Sequence, residues 1–198
     1  MLNIWIQAIA ALLLLPSSMQ AQGGWSAFRS TAYAVAFDHP PSAKIRVMRF
    51  EGGDSLLILE IHSADSVMPT FGNLLGKGVI VHADLKLTKF DFDHAAVDWG
   101  FTKKAHHWLI RANPGVGPST RATVIRKGRI TILKGNQVFG QQSTEGFAEI
   151  ARVPLQFVFL RGGPKGNIVM SVLYDSLATN TLTQIIKSMK VIDEKPVK

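Results

Sequence analysis

An alternation of side-chain polarity over residues 79–87 constrains the fold of this chain more than any other feature of its sequence. The apolar positions are Val79, Val81, Ala83, Leu85 and Leu87, and the polar positions between them are His82, Asp84 and Lys86. A period of two residues is typical of a β-strand that buries one face and exposes the other. The segment therefore predicts a sheet with one buried face and one solvent-exposed face.

Further short segments carry strand patterns and are separated by turn residues. They are residues 31–40, 45–50, 55–61, 106–111, 122–126, 129–133, 155–160 and 167–174. Lys127-Gly128 predicts a two-residue hairpin, and Gly135-Asn136 predicts another turn. Apolar residues at helical spacing over 65–76 predict a short helix, although Pro69 and Gly72 interrupt the pattern.

The end of the chain has the pattern of an amphipathic helix. Its apolar stripe comprises Leu182, Ile185, Ile186, Met189 and Ile192, and residues 181–184 fit a capping box. The sequence thus predicts an α+β fold, in which this helix and one or two other short helices pack on an antiparallel sheet of roughly six to eight strands. A chain of 198 residues is long enough to bury such a core.

The N-terminus has the pattern of a signal peptide. Residues 4–15 form an apolar run that is too short to cross a bilayer, and Pro16 and the small residue Ala21 follow it. We expect residues 1–21 to be removed and residues 22–198 to form one domain without a transmembrane segment, in the periplasm or secreted. No Lys or Arg precedes the run, so an uncleaved anchor and a buried helix are the alternatives.

Composition excludes several classes of protein. The chain contains no cysteine, which excludes disulfide frameworks, iron–sulfur clusters and thiol nucleophiles. Its 22 basic and 14 acidic residues give a net charge of +8, which favours acidic partners. Six basic residues are candidates for a polyanion-binding or partner-binding surface, namely Lys103, Lys104, Arg121, Arg126, Lys127 and Arg129. A solvated sheet surface is the alternative, and export makes a nucleic-acid partner unexpected.

Polar residues that suit a divalent metal occur on either side of residues 88–90. If two strands paired across that turn, five side chains would converge: His82, Asp84, Asp91, Asp93 and His94. Imidazole and carboxylate groups are ligands for zinc and similar ions. The alternative is that all five are ordinary polar residues on the solvent-exposed face of a strand and in its turn. The sequence contains no nucleophile elbow, metalloprotease motif or complete phosphate loop, so it favours a protein that is not an enzyme and predicts no cofactor.

The opening strand ends in residues 37–40, a pair of long apolar strands lies near the other end, and the closing helix carries the pattern Ile186-Lys187-Ser188-Met189. In these features the two ends of the domain resemble the PsbP/Mog1-like family of small exported domains. The resemblance implies an antiparallel sheet with helices on its faces. It also implies an accessory or binding role, and it transfers no catalytic residues.

These observations lead to one main hypothesis and two alternatives. The main hypothesis is an exported, non-enzymatic binding protein whose partner is a protein or an anionic component of the cell envelope. One alternative is a metal-binding protein or metal-dependent enzyme that uses the five residues above. The other is a carrier that holds a small apolar ligand between the sheet and the helix. The sequence does not predict an oligomeric state.

Overall fold

The computed structural model describes residues 24–50, 55–63, 78–113 and 115–192. These residues form twelve strands: β1 (Ser26–Ser30), β2 (Val35–His39), β3 (Ala43–Arg49), β4 (Ser55–His62), β5 (Val79–Thr88), β6 (Phe101–Lys104), β7 (His107–Ile110), β8 (Thr120–Lys127), β9 (Ile130–Ser143), β10 (Gly146–Gly163), β11 (Gly166–Tyr174) and β12 (Lys190–Val191). They also form two α-helices, α1 (Phe92–Asp98) and α2 (Thr179–Ser188), and a 3₁₀ turn over Ser176–Ala178. None of the described helices is long and apolar enough to cross a membrane.

Nine of the strands form one antiparallel sheet in the order β3-β4-β5-β11-β10-β9-β8-β7-β6. The other three form a small sheet in the order β1-β2-β12. The predicted α+β class, the antiparallel sheet and the closing helix are therefore confirmed. The large sheet exceeds the expected six to eight strands because β6, for which no strand was predicted, pairs with β7 and lengthens it at one end.

The two faces of the large sheet bury different clusters. The face that we call the α2 face packs against α2 and the small sheet, and it receives Val81, Ala83 and Leu85 from β5. The opposite face, which we call the α1 face, packs against α1 along strands β6 to β11. The alternation predicted for residues 79–87 is confirmed, because the apolar members from Val79 to Leu85 are buried and the intervening residues are partly exposed.

The cluster on the α1 face is rich in aromatic rings. Phe101 and Phe157 are fully buried, with ring centroids 5.6 Å apart. Phe92 of α1 meets Trp108 edge to face at 5.5 Å and Phe159 at 5.7 Å. The helix itself contributes only Ala95 and Ala96 to the fully buried set.

The structure corrects three predicted boundaries. Gly135-Asn136 is not a turn, because β9 runs through it from Ile130 to Ser143. A Cβ atom on Gly135 would lie 2.7 Å from Ile110 Cδ1, so this glycine permits close packing rather than a change of chain direction. The capping box at 181–184 is also wrong, because α2 begins two residues earlier and has no side-chain cap.

The third correction concerns the C-terminal end of the helix. It ends at Ser188, so Met189 and Ile192 reach the core from outside it. The short helix predicted over 65–76 lies outside the described residues.

Candidate functional site

The five residues predicted as metal ligands lie in two separate places. His82 and Asp84 lie on β5, which pairs with β4 on one side and β11 on the other. After Thr88 the chain leaves the sheet and enters α1, where Asp91 is the N-cap and Asp93 and His94 lie in the first turn. The hairpin expected across residues 88–90 does not form, because both edges of β5 are already occupied.

His82 lies between two carboxylates on the α1 face. Its Nδ1 is 3.3 Å from Glu60 Oε1 and its Nε2 is 3.2 Å from Asp84 Oδ1. Arg46 Nη2 donates to the same Glu60 oxygen at 3.1 Å, so a polar chain crosses β3, β4 and β5. Only a protonated imidazole can donate to carboxylates from both nitrogens.

The pKa of His82 reflects this position. The hydrogen bond to Asp84 raises it above the ordinary histidine value, and Glu60 adds to the rise, while partial burial opposes it. In the protonated state the ring has no free lone pair with which to abstract a proton. The arrangement therefore suits a structural ion pair that joins three strands rather than a general base.

The second group surrounds the start of α1 and is exposed. Asp91 accepts from the His94 backbone N–H at 3.0 Å and lies 2.8 Å from His94 Nδ1. These contacts lower the pKa of Asp91, and the hydrogen bond to Asp91 raises the pKa of His94. Lys103 pairs with Asp93 at 2.7 Å. Across the described residues, no three His, Asp or Glu side chains are arranged to hold one metal ion.

The six basic residues predicted as one surface are divided between the two faces of the sheet. Strand register places Lys103 on the α1 face, opposite Trp108, and alternation along β8 places Arg126 on the same face. Lys104, Arg121 and Lys127 lie on the other face, and Arg129 lies in the turn between β8 and β9. The predicted set is therefore not one surface.

The α1 face also holds a groove that sequence reasoning missed. This aromatic groove has a volume of about 570 Å³ and is lined on one side by Phe50, Ser55 and Leu56 and on the other by residues 86–90 and Trp99. Lys86 Nζ lies 5.3 Å from the centroid of the Trp99 ring, within the range of a cation–π contact. The lining comes from three separate segments, so no local motif could have indicated it.

The walls of the aromatic groove are held by hydrogen bonds. The Phe90 backbone N–H donates to Thr88 Oγ1 at 3.1 Å, and Asn167 Nδ2 donates to the Phe90 carbonyl at 2.9 Å. These bonds fix the backbone of Phe90 while its side chain remains 54% exposed. Phe50, on the other wall, is 50% exposed. Two exposed phenylalanines at one groove are unusual for a surface that contacts only water.

The space between the large sheet and α2, where a carrier would hold its ligand, contains packed side chains. Leu182 and Ile185 of α2 are 1% and 0% exposed, and they belong to the same cluster as Val81 and Met170 of the sheet. Gln156, also buried there, donates to the Tyr174 hydroxyl at 3.0 Å. The observed grooves lie elsewhere, at the surface.

Comparison with known proteins gives two similar solved structures. The Ran-binding protein Mog1p of Saccharomyces cerevisiae, solved at 1.9 Å, has a TM-score of 0.47 and 13% identity, over 86% of this chain and 96% of that chain. A mutant of the protein Mog1 has a TM-score of 0.46 and 13% identity, over 86% of this chain and 97% of that chain.

No family model matches the sequence, and no curated protein matches it. Both structural neighbours carry the name Mog1, which is part of the name of the family that the two ends of the chain resemble. Their TM-scores lie below 0.5, so this similarity carries no argument about an activity or a partner.

Proposed function

We propose that the protein is a non-enzymatic binding module that takes an apolar segment of a partner protein into the aromatic groove. The observation that carries the proposal is the pair of half-exposed phenylalanines, Phe50 and Phe90, in the lining of a groove that also contains Trp99. Large aromatic side chains in a concave site are typical of the residues that dominate the binding energy of protein interfaces.

The positive charge of the groove indicates which residues the bound segment of the partner should carry. Lys86 and Lys89 lie in the lining of the groove. We therefore expect the bound segment to place one or two apolar side chains against the rings and to carry acidic residues beside them. Aspartate or glutamate there would pair with the two lysines at the rim.

The protein is further proposed to act outside the cytoplasm. This part rests on the apolar run at residues 4–15 and on the helix-breaking and small residues that follow it. A chain isolated from its native host should begin near Gln22 by mass spectrometry. Recovery of the intact N-terminus from a cytosolic fraction would contradict export without affecting the proposal for the groove.

The groove is tested by crosslinking from inside it. A photoreactive phenylalanine analogue replaces Phe90 in the native host, and a matched chain carries the analogue at Ile150, which is 68% exposed and far from the groove lining. We expect a discrete covalent adduct with one protein from position 90 and not from position 150. The same adducts from both positions would indicate nonspecific contact.

Measuring the affinity for the crosslinked partner then tests whether the Phe50 and Phe90 rings contribute to binding. Replacing Phe50 and Phe90 together by serine should weaken binding at least 10-fold, because each removes a large apolar contact. The control replaces Ile150 and Leu177, which are exposed apolar residues outside the groove, by serine. An equal loss in both double variants, or no loss in the first, would overturn the proposal.

A further inference from the structure

The α2 face is exposed at its far end, and there it presents basic residues from four neighbouring strands. Lys104 of β6 lies opposite His107 of β7, Arg121 of β8 lies opposite Leu109, and Lys134 of β9 lies opposite Thr123. Lys127 lies on the same face of β8. We call Lys104, His107, Arg121, Lys127 and Lys134 the cationic face. At a strand spacing of about 4.8 Å, it is about 14 Å wide.

The charge of the cationic face is not neutralised within the described structure. Strands β6 to β9 contain no aspartate or glutamate. Its five members are all exposed, and none of its lysines or its arginine pairs with a described carboxylate. By contrast, Lys103, one residue from Lys104 but on the α1 face, pairs with Asp93. On strands β6 to β9, four cations without a described carboxylate partner lie on the α2 face, whereas Arg126 is the one such cation on the α1 face.

We propose that the cationic face binds the surface of a membrane that contains anionic phospholipids. Three of its four full charges are lysines, and Arg121 is already engaged, with Nη2 at 2.9 Å from His107 Nδ1. Lysine acts as a point charge without the forked geometry that arginine offers to one fixed carboxylate. Such charges suit a fluid layer of anionic headgroups, where each basic residue near the surface contributes independently.

Two further features favour a bilayer over other polyanions. The large aromatic residues of β6 and β7, Phe101 and Trp108, lie on the opposite face and are buried, so they cannot stack on a nucleic-acid base from the cationic face. The ring that this face does expose, the His107 imidazole, contacts Arg121. The exposed apolar residue on this face is Ile125, at 43% exposure, which can lie against the headgroup region. A surface that binds an acidic protein would be expected to offer larger apolar residues than Ile125, because large buried side chains dominate the binding energy of protein interfaces.

This proposal is independent of the aromatic groove. The groove lies on the α1 face beside β5, whereas the cationic face lies on the α2 face at β6 to β9. Loss of one function should leave the other unchanged.

Vesicle co-sedimentation tests the proposal on the full chain. The quantity measured is the ratio of the partition coefficients for phosphatidylcholine vesicles with 30% phosphatidylglycerol and for pure phosphatidylcholine vesicles. This ratio cancels the contribution of the apolar N-terminal run, which is the same in every variant. The triple variant Lys104→Gln, Lys127→Gln, Lys134→Gln should lower the ratio about 100-fold, at about five-fold per charge.

The matched control removes three lysines from other surfaces: Lys44→Gln, Lys187→Gln, Lys190→Gln. Each of these lysines is exposed. Because both variants lose three lysines, their net charges are the same. We expect its ratio to stay within about five-fold of the unsubstituted chain, and circular dichroism should show both variants folded. Equal losses in the two triple variants would overturn the proposal in favour of a net-charge effect. Tighter binding to polyglutamate or to DNA than to anionic vesicles at equal charge concentration would overturn it in favour of another polyanion.

Discussion

The two helices are held to the sheet by different means. Helix α2 has ten residues, buries Leu182, Ile185 and Ile186, and has no side-chain cap. Helix α1 has seven residues, buries only two alanines, and is capped by the Asp91 carboxylate, which accepts a hydrogen bond from the His94 backbone N–H. Burial of large apolar residues stabilises the first helix, whereas local hydrogen bonding and the Phe92 ring contacts hold the second.

This difference explains where the grooves of the α1 face lie. A short helix with a small buried surface covers only part of its side of the sheet. Phe90, which precedes α1, and Trp99, which follows it, therefore line the aromatic groove. Val97 and Trp108 border a second groove on the same face, of about 280 Å³. The α2 side is closely packed beneath α2 itself, and its own groove, of about 490 Å³, lies beside the small sheet, where residues of β1 and β2 face β3.

The largest expected effect on stability comes from a cavity beneath α2. Ile185 is fully buried, and Ile185→Ala should lower the free energy of unfolding by about 2–5 kcal/mol, as measured by urea denaturation. Lys187→Ala, at an exposed site of the same helix, should change it by no more than about 0.5 kcal/mol. A similar small change for both variants would show that α2 does not depend on burial.

The cap of α1 should matter less to global stability and more to local order. Asp91→Ala removes the acceptor for the His94 N–H, and we expect a loss about one third of that for Ile185→Ala. Hydrogen exchange should accelerate at the Ala95 and Ala96 amides but not at those of Leu182 and Ile185. Asp91→Asn keeps an N-cap acceptor, so it should restore most of the protection. If Asn behaved like Ala, the charge rather than the cap would be the stabilising feature.

The same contrast explains what the sequence could predict. The stripe of apolar residues in α2 has a clear 3.6-residue period and therefore predicts the helix, although the predicted N-cap, Thr181, lies three residues after the observed one, Ala178. Helix α1 offers two small residues and a single capping aspartate, which in sequence look like the polar turn of a hairpin. That misassignment produced the predicted metal cluster, because only a strand would have turned Asp91 and Asp93 towards His82.

The surfaces were harder to predict than the elements, because they depend on register. The six basic residues are close in sequence, yet a shift of one position along a strand moves a side chain to the opposite face. Only the pairing of Lys103 with Trp108, and of Lys104 with His107, shows which lysine is neutralised and which is free. The aromatic groove depends on contacts between β4, β5 and the end of α1, and no single segment encodes them.

The smallest expected effect concerns the polar chain of Arg46, Glu60, His82 and Asp84 on the α1 face. Because Asp84 and Glu60 raise the pKa of His82 in the folded protein, the folded state binds its proton more tightly than the unfolded chain does. The resulting stabilisation is fully present below the ordinary histidine pKa of about 6.5 and is lost as pH rises through the raised value. Urea denaturation from pH 5.5 to 8.5, with His82→Gln as reference, should therefore show a stability difference that is constant at the acidic end and falls above it. Asp84→Asn should remove most of that slope, since Asp84 is the main cause of the shift. A difference that grows with rising pH would mean that His82 is neutral in the fold and that the three strands are not joined by an ion pair.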